Sequence, residues 1–118
     1  MNKKKRVLVT GCFDIIHPGH LYFFKEAAKI GEVYVIVARD STIAKFKKQA
    51  PIVPEDQRLE VVKAIKWVKK AVLGYEHRKF IVRALNLKPE VILLGPNQRI
   101  STENLRKMLD NNGGSHIK

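Results

Sequence analysis

Apolar positions along this chain follow two rhythms, and the two rhythms take turns. Val7-Leu8-Val9, carried on to Thr10, is an unbroken apolar run that Gly11 ends, the mark of a short buried strand. From Pro18 to Ile30 the spacing becomes helical, with Leu21, Phe24 and Ala28 in one stripe, proline suited to the first turn and Gly31 as the stop. Glu32 to Ala38, EVYVIVA, is dominated by β-branched residues and predicts a second strand, followed by the polar turn Arg39-Asp40-Ser41. The basic stretch AKFKKQ after it fits either a short helix or a loop.

Pro51 and Pro54 bracket a loop, and Glu55 and Asp56 suit the first turn of a helix whose core stripe is Val61, Val62, Ile65 and Val68. Ala71-Val72-Leu73 is a third strand ending at Gly74, and Phe80 to Leu87 a further helix halted by Lys88-Pro89. Val91 to Leu94 is a fourth strand closed by Gly95-Pro96. Ser101 is an N-cap for a last helix through Leu105, Met108 and Leu109, which Asn111-Asn112-Gly113-Gly114 ends. Ser115 to Lys118 is placed to begin a fifth strand. Strands alternating with helices predict an α/β fold, a doubly wound parallel sheet of four to five strands covered on both faces.

Length and composition narrow this picture. A chain of 118 residues with 45% hydrophobic content is one folded domain. The single cysteine, Cys12, excludes an internal disulfide and a multi-cysteine metal site, and fits a cytoplasmic protein. No apolar run approaches the ~20 residues that cross a bilayer, so no membrane partner is expected. The opening MNKKKR resembles the charged part of an export signal, but the apolar segment behind it is too short.

The net charge of +12 raises nucleic acid as a partner. Lys3 to Arg6 account for only part of it; basic residues recur at Lys45, Lys47 and Lys48, at Arg58, Lys63 and Lys66, and at Lys69 and Lys70. The chain lacks aromatic-rich strands that read single-stranded bases, which disfavours nucleic acid. A nucleoside triphosphate suits one such cluster, the rest being solvated surface.

The candidate chemistry lies in GCFDIIHPGH, Gly11 to His20. Pro18 sets a helix start, so His17 and His20 flank a helix N-terminus, where unpaired N–H groups and the dipole attract anions. Gly11 and Gly19 leave room for a phosphate to approach the backbone. The plainer reading makes the histidines helix caps. Ligands of an open parallel sheet bind beyond the strands' carboxyl ends, so Gly11 to His20, Asp40 to Lys48 and Gly95 to Arg99 are expected to converge on one cleft.

Gly11, Phe13, Asp14, His17, Gly19 and His20 together resemble the pattern GxFDxxHxGH of the nucleotidyltransferase superfamily, which includes cytidylyltransferases, phosphopantetheine adenylyltransferase and archaeal FAD synthases. The stretch VIVARDSTIAKFKKQAPIVPEDQRLEVVKAIKWVKKAVLGYE is similar to archaeal FAD synthase, the FMN adenylyltransferase, and LGPNQ to that family's LGPDQ or LGYDQ. The resemblance runs from Arg6 to about Leu109. It implies a Rossmann-like fold and transfer of AMP from ATP to FMN, giving FAD and pyrophosphate. Sister activities on glycerol-3-phosphate or a sugar phosphate are the alternatives, and a non-catalytic nucleotide- or RNA-binding domain is the alternative outside enzymes.

The nucleophile in such a reaction is an ionised phosphate, so the work is to align two anions and to place donors around the growing phosphoryl charge. Candidates for that work are His17, His20, Lys47 and Arg58, the last through a forked contact. Nucleotide contacts are expected at Thr10, Gly11, Cys12, Phe13, His17, Pro18, Gly19, His20, Gly95, Asn97 and Gln98, with Asn97 standing where aspartate is usual. Asp14, Asp40 and Lys45 are the acceptor candidates, although Asp14 equally suits bonds to local backbone N–H groups. A divalent ion, magnesium by expectation, is bound through the nucleotide phosphates and not by a protein cage. His77, His116, Trp67 and Tyr75 read as surface or packing residues. The family pattern continues into a fifth strand and a Ser/Thr-rich turn, so residues 1–118 read as a nucleotidyltransferase domain lacking that strand, turn and helix. A homodimer is left open.

Overall fold

Residues 5–47, 49–74, 87–93, 106, 107 and 110 are described by a computed structural model. In chain order they form β1 (Arg6–Gly11), α1 (Pro18–Ile30), β2 (Glu32–Val37), α2 (Asp40–Lys47), α3 (Glu55–Lys63), β3 (Val68–Leu73) and β4 (Val91–Leu93). The strands make one sheet, ordered β3-β2-β1-β4 and parallel throughout.

The apolar run of β1 explains its central place. Val7, Leu8 and Val9 are fully buried, and alternation sends them to opposite faces. Val7 and Val9 join Phe24 and Ala27 of α1 and Val62 of α3, while Leu8 joins Ile36 and Leu87 on the other side. Both faces are therefore covered, as a continuous apolar strand requires.

Helices α1 and α3 need corrections, and one open assignment is resolved. The buried positions of α1 are Phe24 and Ala27, with Ala28 packed at the margin, whereas Leu21 is turned toward solvent. On α3, Val62 is buried and Val61 is exposed, and Val68 belongs to β3. AKFKKQ lies largely in a true helix, α2, anchored by the buried Ile43 and opened by Asp40, whose N–H donates to Glu55 Oε1 at 2.8 Å.

Strand β3 begins earlier than its apolar core suggests. Val33 pairs with Val68 but Tyr34 pairs with Lys70, so the register shifts around Lys69. That bulge puts Lys69 and Lys70 both at the surface, breaking the alternation a strand normally displays. Lysines on an edge strand also discourage pairing with another sheet. The helix expected at Phe80 to Leu87 falls outside the described residues except for the buried Leu87, as do the fifth strand and most of the last helix. Of that last helix, Arg106, Lys107 and Asp110 are described as helical, with Arg106 paired to Asp110 at 3.2 Å.

From β1 the chain adds β2 and β3 on one side and later returns to lay β4 on the other. Strand order thus reverses beside β1, and the crevice this creates lies at its carboxyl end. Ala38 N–H donates to Gly11 O and Gly74 N–H to Val37 O, each at 2.9 Å, which holds the strand exits together there.

Candidate functional site

The loop leaving β1 is held by its own aromatic residue. Phe13 adopts φ 52°, a left-handed conformation unusual for a bulky residue, and is only 7% exposed. Its ring lies 5.3 Å from the ring of Phe24 and 5.7 Å, edge-on, from His20. A Cβ on Gly11 would stand 2.9 Å from the Phe13 ring. The small residue at Gly11 therefore makes room for Phe13.

The histidines are caps and donors at once. His17 is the N-cap of α1, and its Nδ1 accepts from Gly19 N–H at 3.0 Å. His20 reaches back, its Nδ1 accepting from His17 N–H at 3.2 Å, which makes a capping box from two imidazoles. A neutral ring whose Nδ1 accepts carries its proton on Nε2. Capping thus fixes the tautomer in which each ring offers an Nε2–H donor. A Cβ on Gly19 would lie 2.7 Å from His17 Cε1, so glycine here is what lets the ring fold over the helix start.

The two rings are 4.1 Å apart. Burial, and then the nearby charge of His17, lower the His20 pKa from its ordinary 6.5. A proton on His20 Nδ1 would also set donor against donor at His17 N–H. The unfolded chain therefore binds this proton first as pH falls, so His20's contribution to stability is intact above 6.5 and is lost below it, down through the lower folded value. Melting temperature is expected to drop as pH falls below about 6.5, and to drop less in His20→Gln, which has no proton to gain there. Equal pH dependence in both proteins would contradict the assignment.

Arg58 requires the largest correction. It is 1% exposed, and its guanidinium donates to Val53 O (2.9 Å), Cys12 O (2.6 Å), Ala38 O (2.7 Å) and Asp40 Oδ1 (2.7 Å). A forked phosphate contact is not made from such a position. Arg58 instead ties together the exits of β1 and β2, the start of α2 and the loop before α3. Asp14 is also engaged: Oδ2 accepts from Ile52 N–H at 2.9 Å and Oδ1 from Val53 N–H at 2.8 Å. These two backbone partners lie in a loop distant in sequence. Asp40 receives Arg58, so both aspartates hold the cleft in shape where acceptor contacts were expected.

Arg39 and Glu55 escaped the sequence reading. Glu55 accepts from Asp40 N–H and, at 3.1 Å, from Arg39, whose Nε also donates to Gly74 O at 2.7 Å. The only signal was an acidic first turn, which ordinarily means a dipole partner. Thr10 and Cys12 are half-buried at the end of β1, Pro18 opens α1, and Lys45 is exposed on α2. Lys48, Gly95, Asn97 and Gln98, like the side chain of Lys47, lie outside the described residues. Among the described residues no three His, Cys, Asp or Glu side chains could hold a metal ion, and no helix is long and apolar enough to cross a membrane.

An imidazole-capped helix start thus stands at the reversal point of a parallel sheet. A family model described as cytidylyltransferase-like matches residues 8–113. The FAD synthase of Methanosarcina mazei is 50% identical over 109 residues, spanning 92% of this chain and 70% of that protein. The FAD synthase of Methanopyrus kandleri is 45% identical over 113 residues, spanning 92% and 74%. Among solved structures, the lipopolysaccharide core biosynthesis protein of Thermoplasma volcanium superposes with a TM-score of 0.88 at 36% identity, covering 97% of this chain and 93% of that one. The match takes in the β1 exit, both histidines and the sheet that carries them, and on that ground the chain belongs to the cytidylyltransferase-like family of nucleotidyltransferases.

Proposed function

We infer that this protein is an FMN adenylyltransferase: an FMN phosphate oxygen bonds to the α-phosphorus of ATP, the α–β bridging P–O bond breaks, and FAD and pyrophosphate leave. The observation that carries the reading is the paired imidazole cap. Two rings held by backbone bonds at their Nδ1 atoms offer Nε2–H groups from the N-terminus of α1. Phosphoryl oxygens gain charge in the transition state, and donors already aimed there need no reorganisation. Similarity to archaeal FAD synthases over nine-tenths of the chain supports FMN as the acceptor.

Roles follow from these positions. His17 and His20 bind the α- and β-phosphates, and Gly19 and Pro18 shape the helix start that supports them. Thr10, Gly11, Cys12 and Phe13 line the nucleotide side of the crevice, and Gly95, Asn97 and Gln98 are further nucleotide contacts. Lys45 and Lys47, on α2, attract the anions. Magnesium, bound through the nucleotide phosphates, would supply charge neutralisation. Asp14 and Asp40, committed to holding loops, suit no cage for it. The reaction is assigned to the cytoplasm.

Flavin fluorescence tests this directly. With ATP and FMN, emission is expected to fall as FAD forms and its adenine stacks on the ring. CTP in place of ATP is expected to leave it unchanged. Steady emission with ATP, alongside a CTP-dependent product from glycerol-3-phosphate, would move the protein to a sister activity.

A further inference from the structure

Two exposed isoleucines stand on segments whose backbones are tied together, one of them leading into the histidine pair. Ile15 lies two residues before His17 and is 58% exposed; Ile52 is 77% exposed. Ile52 stands 38 residues after Asp14, yet the Asp14 carboxylate accepts its N–H at 2.9 Å and that of Val53 at 2.8 Å. Arg58 fastens the same two segments a second time, through Val53 O and Cys12 O. Single exposed apolar side chains are ordinary on a protein surface. Here charged groups spend their bonds fixing the backbones that carry two such side chains, at the rim of a phosphate site.

Phosphates and riboses have no use for isoleucine. An acceptor with a phosphate at one end and a flat, largely apolar tricycle at the other does, and in FMN a polyol chain separates the two. With its phosphate beside the ATP phosphates held at His17 and His20, a ring one polyol chain's length away can reach Ile15, two residues before His17, and the segment tied to it. We propose that Ile15 and Ile52 form the apolar seat for the acceptor's flavin ring, a seat that a sugar phosphate or glycerol-3-phosphate would leave uncovered. The proposal rests on the assignment of FMN as acceptor. Asp14 then acts as a positioning residue, joining the two halves of the seat.

Steady-state kinetics of Ile15→Ser, Ile52→Ser and the double variant test it, with Ile52→Leu as the conservative partner and Ile30→Ser, an exposed isoleucine at the far end of α1, as the control. KM for FMN is expected to rise about five- to tenfold in each serine variant and further in the double, with KM for ATP within about twofold. Ile52→Leu is expected to restore FMN affinity and Ile30→Ser to leave it alone. Unchanged KM for FMN in the double variant would overturn the seat, as would an equal effect from Ile30→Ser. A change in oligomeric state with unchanged KM for FMN would also overturn it, by assigning the isoleucines to an interface between copies. If the unsubstituted protein makes no FAD but adenylylates or cytidylylates another acceptor, the functional reading itself fails; if it makes FAD while the serine variants keep its KM, only the seat fails.

Discussion

Replacing either His17 or His20 by alanine is expected to cut turnover by ~100-fold or more, because each removes an Nε2–H donor from the phosphoryl oxygens at the moment their charge grows. Both substitutions also remove a capping bond, worth about 1 kcal/mol of helix stability, which is too little to unfold the domain. Circular dichroism and cooperative melting are therefore expected to survive while activity does not. The asparagine variant separates the two roles at His17. Asparagine caps helices well and its amide can still donate, so His17→Asn is expected to outperform His17→Ala in both stability and turnover. Equal turnover in His17→Asn and His17→Ala would mean that His17 does not act by donating a hydrogen bond.

Arg58→Ala is expected to lower unfolding free energy by about 3 to 5 kcal/mol, the scale for removing a buried guanidinium and leaving its carbonyl partners without a donor. Three carbonyls and the Asp40 carboxylate lose their donor together, and they belong to the four segments that shape the cleft. Arg58→Lys is expected to recover only part of the loss, since an ammonium cannot reproduce the flat fork that meets these acceptors. Urea denaturation measures both. An Arg58→Ala protein as stable as the unsubstituted one, yet unable to bind ATP, would place the guanidinium on the nucleotide and not on the backbone.

What could be read from sequence depended on how local the cause was. Helix α1 starts at Pro18 and stops before Gly31 as expected, because both signals act within their own turn. Strands β1 and β2 follow from apolar runs that the sheet buries on both faces, and β4 from a shorter, half-buried run. Strand β3 was cut short because a bulge near Lys69 leaves two adjacent lysines at the surface, and no pattern of period two contains that. The His17–His20 pair was visible as a helix-start site, but its capping box decides which nitrogen donates, and that needs atomic positions. Arg58 was misread for a different reason: Cys12 and Ala38, whose carbonyls it binds, lie 46 and 20 residues away. A charged side chain near a cleft looks the same in sequence whether it faces a ligand or its own backbone.

Mass detection of the product reports most directly on the central claim, that the crevice at the end of β1 transfers AMP to FMN. The protein is incubated with magnesium, each of ATP and CTP, and a panel of acceptors containing FMN, glycerol-3-phosphate and sugar phosphates. FAD and pyrophosphate in equal amounts, from ATP and FMN alone, are the predicted result. A cytidylylated or adenylylated product from another acceptor, with none from FMN, would contradict it.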